Sequence, residues 1–258
     1  MTLTLSLRSE PPARILAPGL VPERLRGLNA SAVAAVEVRC GGETISVGDL
    51  FEVSGAGAED EALVLAGDLR RFDCVGARMS SGEIAVRGDV GAWAGAEMSG
   101  GALRIFGDAG ARLGAAYPGA RAGMTGGEIV VSGDAGEETG AGMRRGLVAV
   151  GGRTGNGAGL RMLAGTVIAL GGIGAEAGLG NRRGSLVSGR PVEPLPAYAF
   201  AARFQPPALR LQLRRVRELG LTVDDALIRG SWARWSGDRT ELSRGEILIF
   251  EDEEGSRE

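Results

Sequence analysis

Four aspartates recur behind a glycine along this chain: Gly67-Asp68, Gly88-Asp89, Gly107-Asp108 and Gly133-Asp134. A column of carboxylates is what acid–base catalysis or a calcium site needs. Two features favour a humbler role, in which each carboxylate accepts hydrogen bonds from backbone N–H groups at a chain corner. Arg153 and Gly172 break the column at its next two equivalent positions. No Gly-Gly-x-Gly-x-Asp nonapeptide recurs, as a calcium-binding roll requires. Glycine-rich stretches such as Gly155-Asn156-Gly157-Ala158-Gly159 resemble phosphate-cradling loops in composition, but none stands between a strand and a helix.

What is missing narrows the chemistry further. The chain has no histidine, and all 29 basic residues are arginine. General-base histidine, Ser-His and Cys-His pairs, lysine Schiff bases and a P-loop lysine are therefore excluded. Cys40 and Cys74 form no metal or redox motif and read as reduced, buried thiols. No residue is assigned to catalysis or to a metal. The remaining candidates for binding are arginines: Arg144, Arg145, Arg161, Arg182 and Arg183. Arg144/Arg145 and Arg182/Arg183 stand two repeats apart and should project from one edge, suited to an acidic partner or an anionic ligand. A net charge of −3 gives no nucleic-acid footprint. No apolar run is long enough for a membrane span and Met1-Thr2-Leu3-Thr4-Leu5 is not a signal peptide, so the cytoplasm is the expected compartment.

The element that positions all of these residues is a repeat. Met79, Met98, Met124, Met143, Met162 and Asn181 start equivalent units, spaced 19, 26, 19, 19 and 19 residues apart. Seven extra residues fall in one unit, at Tyr117 to Gly123. Glycine stands three residues after every start, and an aliphatic residue (Ile84, Leu103, Ile129, Val148, Val167, Leu186) five after. Further glycine columns lie nine, twelve and sixteen residues after the first five starts. Each unit has one apolar run of about five residues, too short for a helix and right for a strand. One strand per unit in constant register predicts parallel stacking at about 4.8 Å. The fold class expected is therefore all-β: a single-stranded parallel β-helix, right-handed, with about 19 residues per coil, its core a ladder of methionines and aliphatics.

Residues 1–57 are expected to form a β-rich N-terminal cap, with strands at Val33–Val38, Thr44–Val47 and Gly48–Val53. Residues 58–190 form the glycine-rich solenoid. Residues 191–258 form the C-terminal cap, since Pro191, Pro194 and Pro196 stop the repeat. This cap should hold a helix over Pro207–Leu219, a strand over Gly245–Phe250 and a frayed acidic tail from Glu251.

A repeat of the form Met-x-x-Gly-x-Ile-x-Val-x-Gly-Asp-x-Gly-x-x-x-Gly over residues 79–190 resembles the glycine-rich domain of the C subunit of formylmethanofuran dehydrogenase, which is also similar to the end of the large subunit of glutamate synthase. Trp235-Ser236-Gly237-Asp238 followed by Gly245-Glu246-Ile247-Leu248 is similar to the end of that C subunit. The lack of lysine, with abundant Ala and Arg, suits a GC-rich bacterial genome and hence the counterpart in the formyltransferase/hydrolase complex of methylotrophic bacteria. The resemblance implies a non-catalytic scaffold in a hetero-oligomer. Its partners would be an amidohydrolase-like metal subunit, a formyltransferase subunit and a molybdopterin-enzyme-like subunit. The complex would pass formyl from formyl-tetrahydromethanopterin to a methanofuran-type carrier and release formate, with neither carrier bound by this chain. The alternative is a stand-alone glutamate synthase-like module for structure or assembly. A left-handed β-helix acyltransferase is opposed by the 19-residue unit and the missing histidine. A β-helical carbohydrate lyase or hydrolase is opposed by the lack of an aromatic groove in the sequence pattern.

Overall fold

The computed structural model describes residues 2–55 and 61–251. The expected boundary at residues 57/58 and the acidic tail beyond Glu251 lie outside the described residues. Among these, twelve strands form one large sheet, numbered in chain order: β1 Leu3–Leu7, β2 Phe51–Ser54, β3 Ala62–Ala66, β4 Glu83–Arg87, β5 Ala102–Ile105, β6 Glu128–Val131, β7 Leu147–Val150, β8 Thr166–Ala169, β9 Ser185–Ser188, β10 Ala199–Phe204, β11 Ser231–Gly237 and β12 Gly245–Glu251. From β3 to β9 every strand pairs in parallel with the next, without a register shift. Leu63, Ile84, Leu103, Ile129, Val148, Val167 and Leu186 are thus stacked directly over one another, all buried.

Two further lines of contact tie each 19-residue turn to its neighbours. Parallel bridges join Leu69, Val90, Ala109, Ala135 and Thr154 in succession. At the corners Gly95 N–H donates to Val75 O, Gly114 to Ala94 O and Gly159 to Thr139 O, each at 2.8 Å. The methionine column lies inside: Met79, Met98, Met124, Met143 and Met162 are fully buried. These side chains explain the glycine that follows each start. At Gly127, φ is +86° and a Cβ would lie 2.7 Å from both Met98 Cε and Gly101 O. Only glycine accepts that backbone and that contact together.

Both ends depart from the repeat in specific ways. β1 extends the sheet parallel to β3 with Leu3 and Leu5 in the core columns, and β2 pairs antiparallel with β1 beyond it. The expected strand over Val33–Val38 begins instead as a helical turn, Ala30–Ala34, because Asn29 Oδ1 accepts from Ala32 N–H at 2.9 Å. Val47–Leu50 is likewise helical, capped reciprocally by Ser46 and Asp49, which delays the strand expected from Gly48 to Phe51. At the other end β12 returns to pair in parallel with β9, placing Ile247 on Leu186, so stacking continues for one more strand past the prolines. The Pro207–Glu218 helix then covers the outer face of the late strands: Leu209, Leu213 and Val216 pack on Val130, Ile168 and Val187. No helix among the described residues is long and apolar enough to cross a membrane.

Candidate functional site: an arginine and aromatic groove

The corner of each turn carries residues with φ in the left-handed region, some of them not glycine. Fourteen residues after successive starts stand Trp93 (φ 63°), Arg112 (64°) and Glu138 (55°), preceded by Cys74 (65°) one turn earlier. One residue before a start stand Arg78 (61°), Glu97 (54°) and Arg161 (52°). Each such residue costs about 1 kcal/mol or more relative to glycine. Glycine occupies the same columns elsewhere, at Gly157 and Gly142. Large side chains are thus kept at strained positions along one edge of the stack.

Those side chains assemble. The rings of Trp93 and Tyr117 stack with centroids 5.0 Å apart. The Arg112 guanidinium lies 4.9 Å from the centre of the Trp93 ring, and that of Arg78 lies 5.4 Å from the centre of Tyr117. Arg78 pairs with Glu97 at 2.9 Å and Arg112 with Glu138 at 2.8 Å, each bond spanning adjacent turns. Tyr117 starts the insertion. Ala116 N–H still bonds Ala141 O (2.9 Å) and Gly123 N–H bonds Gly142 O (2.8 Å), so the loop leaves and rejoins the stack without breaking it. Beneath the aromatic pair is the buried thiol of Cys74. Burial pushes the Cys74 thiol up, and burial with a hydrogen bond to that thiol pushes the Tyr117 hydroxyl up, so both are neutral near pH 7 and neither is activated.

The insertion forms one wall of a groove of about 1090 Å³ that runs past Trp93, Arg112, Glu138, Leu160, Arg161 and Leu179 to Arg182 and the Thr240–Glu241 turn. Of the arginines singled out by the sequence, Arg161 and Arg182 face this groove, and Arg182 pairs with Glu241 at 3.0 Å. Arg144, Arg145 and Arg183 are exposed but are not part of it. Their spacing of two turns is as expected: the Arg144 and Arg182 amides occupy equivalent rungs, bonding Met124 O and Met162 O at 2.9 Å. Sequence reasoning marked the Tyr117 to Gly123 insertion, which carries Tyr117 and Arg121, but missed Trp93 and Arg112. The signal was the occurrence of bulky residues in a corner column whose backbone is left-handed and which takes glycine at Gly157.

The aspartate column serves the stack. Asp89 Oδ1 accepts from Asp108 N–H (2.8 Å), Asp108 Oδ1 from Asp134 N–H (2.8 Å), and Asp134 Oδ1 from Arg153 N–H (2.7 Å). The column can stop at Arg153 because that residue only donates. Asp68 turns to Arg70, whose side-chain and backbone hydrogen bonds hold its carboxyl at about 2. At the closing end Asp238, 1% exposed, accepts from Gly180 N–H (3.1 Å), Thr240 N–H (2.8 Å) and the Thr240 hydroxyl (2.7 Å). Among the described residues no three His, Cys, Asp or Glu side chains gather as a metal-ligand set.

A glycine-rich β protein of stacked 19-residue turns, with its distinctive side chains on one edge, is the class that fold and site define. No protein-family model matches the chain. It is 32% identical over 91 residues to the C subunit of the tungsten-containing formylmethanofuran dehydrogenase 2 of Methanothermobacter wolfeii, covering 34% of each chain. It is 36% identical over 88 residues to the C subunit of the formyltransferase/hydrolase complex Fhc of Methylorubrum extorquens, covering 34% of this chain and 32% of that one. The chain thus matches about a third of the length of these curated relatives. A chain in the crystal structure of the Methylorubrum extorquens complex FhcABCD with methylofuran is similar throughout: 30% identity, TM-score 0.80, 96% of this chain and 100% of that chain. The chain belongs to the family of formylmethanofuran dehydrogenase C subunits.

Proposed function

We propose that this chain is a non-catalytic scaffold subunit of a formyltransferase/hydrolase complex, built as a right-handed single-stranded parallel β-helix over residues 58–190 and capped by residues 1–57 and 191–258. The observation that carries this reading is the likeness to a chain of the FhcABCD complex, complete over that chain's length. The unshifted parallel register from β3 to β9 supports the β-helix. A chain lacking histidine and lysine, whose aspartates are used by backbone N–H groups, supports the division of labour.

In this reading the complex works in the cytoplasm and passes formyl from formyl-tetrahydromethanopterin to a methanofuran-type carrier, then releases formate. An amidohydrolase-like metal subunit and a formyltransferase subunit perform those steps beside a molybdopterin-enzyme-like subunit. This chain holds neither carrier and supplies rigid surfaces. Arg144, Arg145, Arg161, Arg182 and Arg183 are its positions for an acidic partner or anionic ligand. The test is purification of the tagged chain under native conditions. Co-elution with amidohydrolase-like and formyltransferase subunits supports the assignment; a monomer with formyl-transfer or hydrolase activity of its own refutes it.

A further inference from the structure

We infer, on the reading of this chain as one member of a complex, that the groove between the Tyr117–Gly123 loop and the Thr240–Glu241 turn receives an extended, acidic segment of a partner protein.

Shape comes first. The groove is lined by corner residues of five successive turns, from Trp93 to Leu179 and Arg182. Four steps of about 4.8 Å make it roughly 19 Å long. A chain extending about 3.3 Å per residue covers that length with about six residues. A site of this form is a track for a strand or an extended peptide.

Charge selects the occupant. Arg112 and Arg182 are already paired, with Glu138 and Glu241. Arg121, at the exposed end of the insertion, and Arg161 also line the groove, and among the described residues neither has an ion-pair partner. Two unpaired guanidiniums separated along a channel fit carboxylates spaced along a chain. Apolar side chains also line it: Leu160 and Leu163 are half-buried, and Leu179 is 46% exposed. An acidic segment that also carries aliphatic side chains satisfies both features. The stacked Trp93 and Tyr117 close the far end as a rigid apolar wall, the kind of surface that anchors an interface.

The left-handed backbone at Arg161 and Arg112 points the same way, because glycine at these positions would relieve the strain and remove the cations. Glutamate is tolerated in the same two columns at Glu97 and Glu138, so charge reversal there is compatible with the fold.

The experiment uses the natively purified complex. A photo-crosslinking p-benzoylphenylalanine replaces Ala120 on the loop, and crosslinked peptides are identified by mass spectrometry. In parallel, R121E/R161E is compared with R39E/R214E, which reverses two exposed arginines outside the groove. Crosslinks to a partner stretch of net negative charge are expected. So is at least about tenfold weaker association for R121E/R161E, with R39E/R214E within about twofold of wild type. The proposal is overturned if the complex assembles and the crosslinks are absent, or fall on a neutral or basic segment or on residues 252–258 of this chain. Equal effects of the two double variants overturn it as well. A chain that elutes without partners refutes instead its assignment to a complex.

Discussion

Replacing Asp238 should unfasten the closing end of the stack. Its carboxylate is 1% exposed and accepts three hydrogen bonds, two from Thr240 and one from Gly180 N–H. Asp238 backbone N–H donates in turn to Asn181 O at 3.2 Å, and Asn181 Oδ1 accepts from Gly184 N–H at 2.7 Å. Asp238→Ala takes the acceptor from these donors at a part-buried site. At about 1–3 kcal/mol for a buried group left unpaired, and less for the Thr240 donors that water can reach, the loss should be about 2–4 kcal/mol. Asp238→Asn keeps the acceptor facing Thr240 but turns an amide NH2 toward Gly180 N–H, for a loss of about 2–3 kcal/mol. In a stack of repeated turns such a loss is felt first by the adjoining turn. Hydrogen exchange should therefore accelerate at Gly180 to Ser188 and in β12, and stay near wild type around β4 and β5.

The same site sets an acid dependence. Burial pushes the Asp238 carboxyl up, but the hydrogen bonds from Thr240 and Gly180 outweigh it and hold the pKa below the usual carboxylate value. A group depressed in the folded state stabilises fully above its unfolded pKa of about 3.9, and its contribution is lost as pH falls through the folded pKa. The difference in urea midpoint between wild type and Asp238→Asn should be constant at pH 6–7 and shrink below about pH 4. A pH-independent difference, or uniform acceleration of exchange over all turns, would refute the reasoning.

Met143 is fully buried with its Cε against the next turn's glycine at Gly165, so Met143→Ala should cost about 2–5 kcal/mol in urea unfolding, whereas Met143→Leu should stay within about 1.5 kcal/mol. Asp108→Ala orphans the Asp134 N–H at an exposed corner and should cost about 1 kcal/mol; Asp108→Asn keeps the acceptor and should unfold near wild type. Cys74 is buried under Tyr117 and its pKa is raised, so thiol-reagent titration at about pH 8 should be slow in the wild type and at least about tenfold faster in Tyr117→Ala.

The regular body of the fold is legible because the same core contacts recur from one turn to the next. Met98 against Gly127 and Ile84 against Leu103 are fixed by one register, so a column in the sequence is a column in space. The ends are less legible because their contacts are not periodic. β12 lands on β9 across 61 residues, as Ser185 does on Glu246. The helical turns at Ala30–Ala34 and Val47–Leu50 depend on local caps at Asn29 and Ser46 that compete with strand-like composition. The groove was half visible. Arg161 and Arg182 stood out as charges and Tyr117 as the start of the insertion, but Trp93 and Arg112 meet only because one corner column places them on adjacent turns. Their mark in the sequence is the loss of glycine where the backbone favours it.

If this chain organises chemistry performed by other subunits, its presence should matter to assembly and its own surface should turn nothing over. Formate release from formyl-tetrahydromethanopterin can be measured for three samples: the purified chain, the complete complex, and the other subunits expressed without it. Turnover by the complex is expected, none by the chain alone, and loss of both assembly and activity when the chain is omitted. Formate production by the isolated chain, or full activity of a complex assembled without it, would contradict the scaffold role.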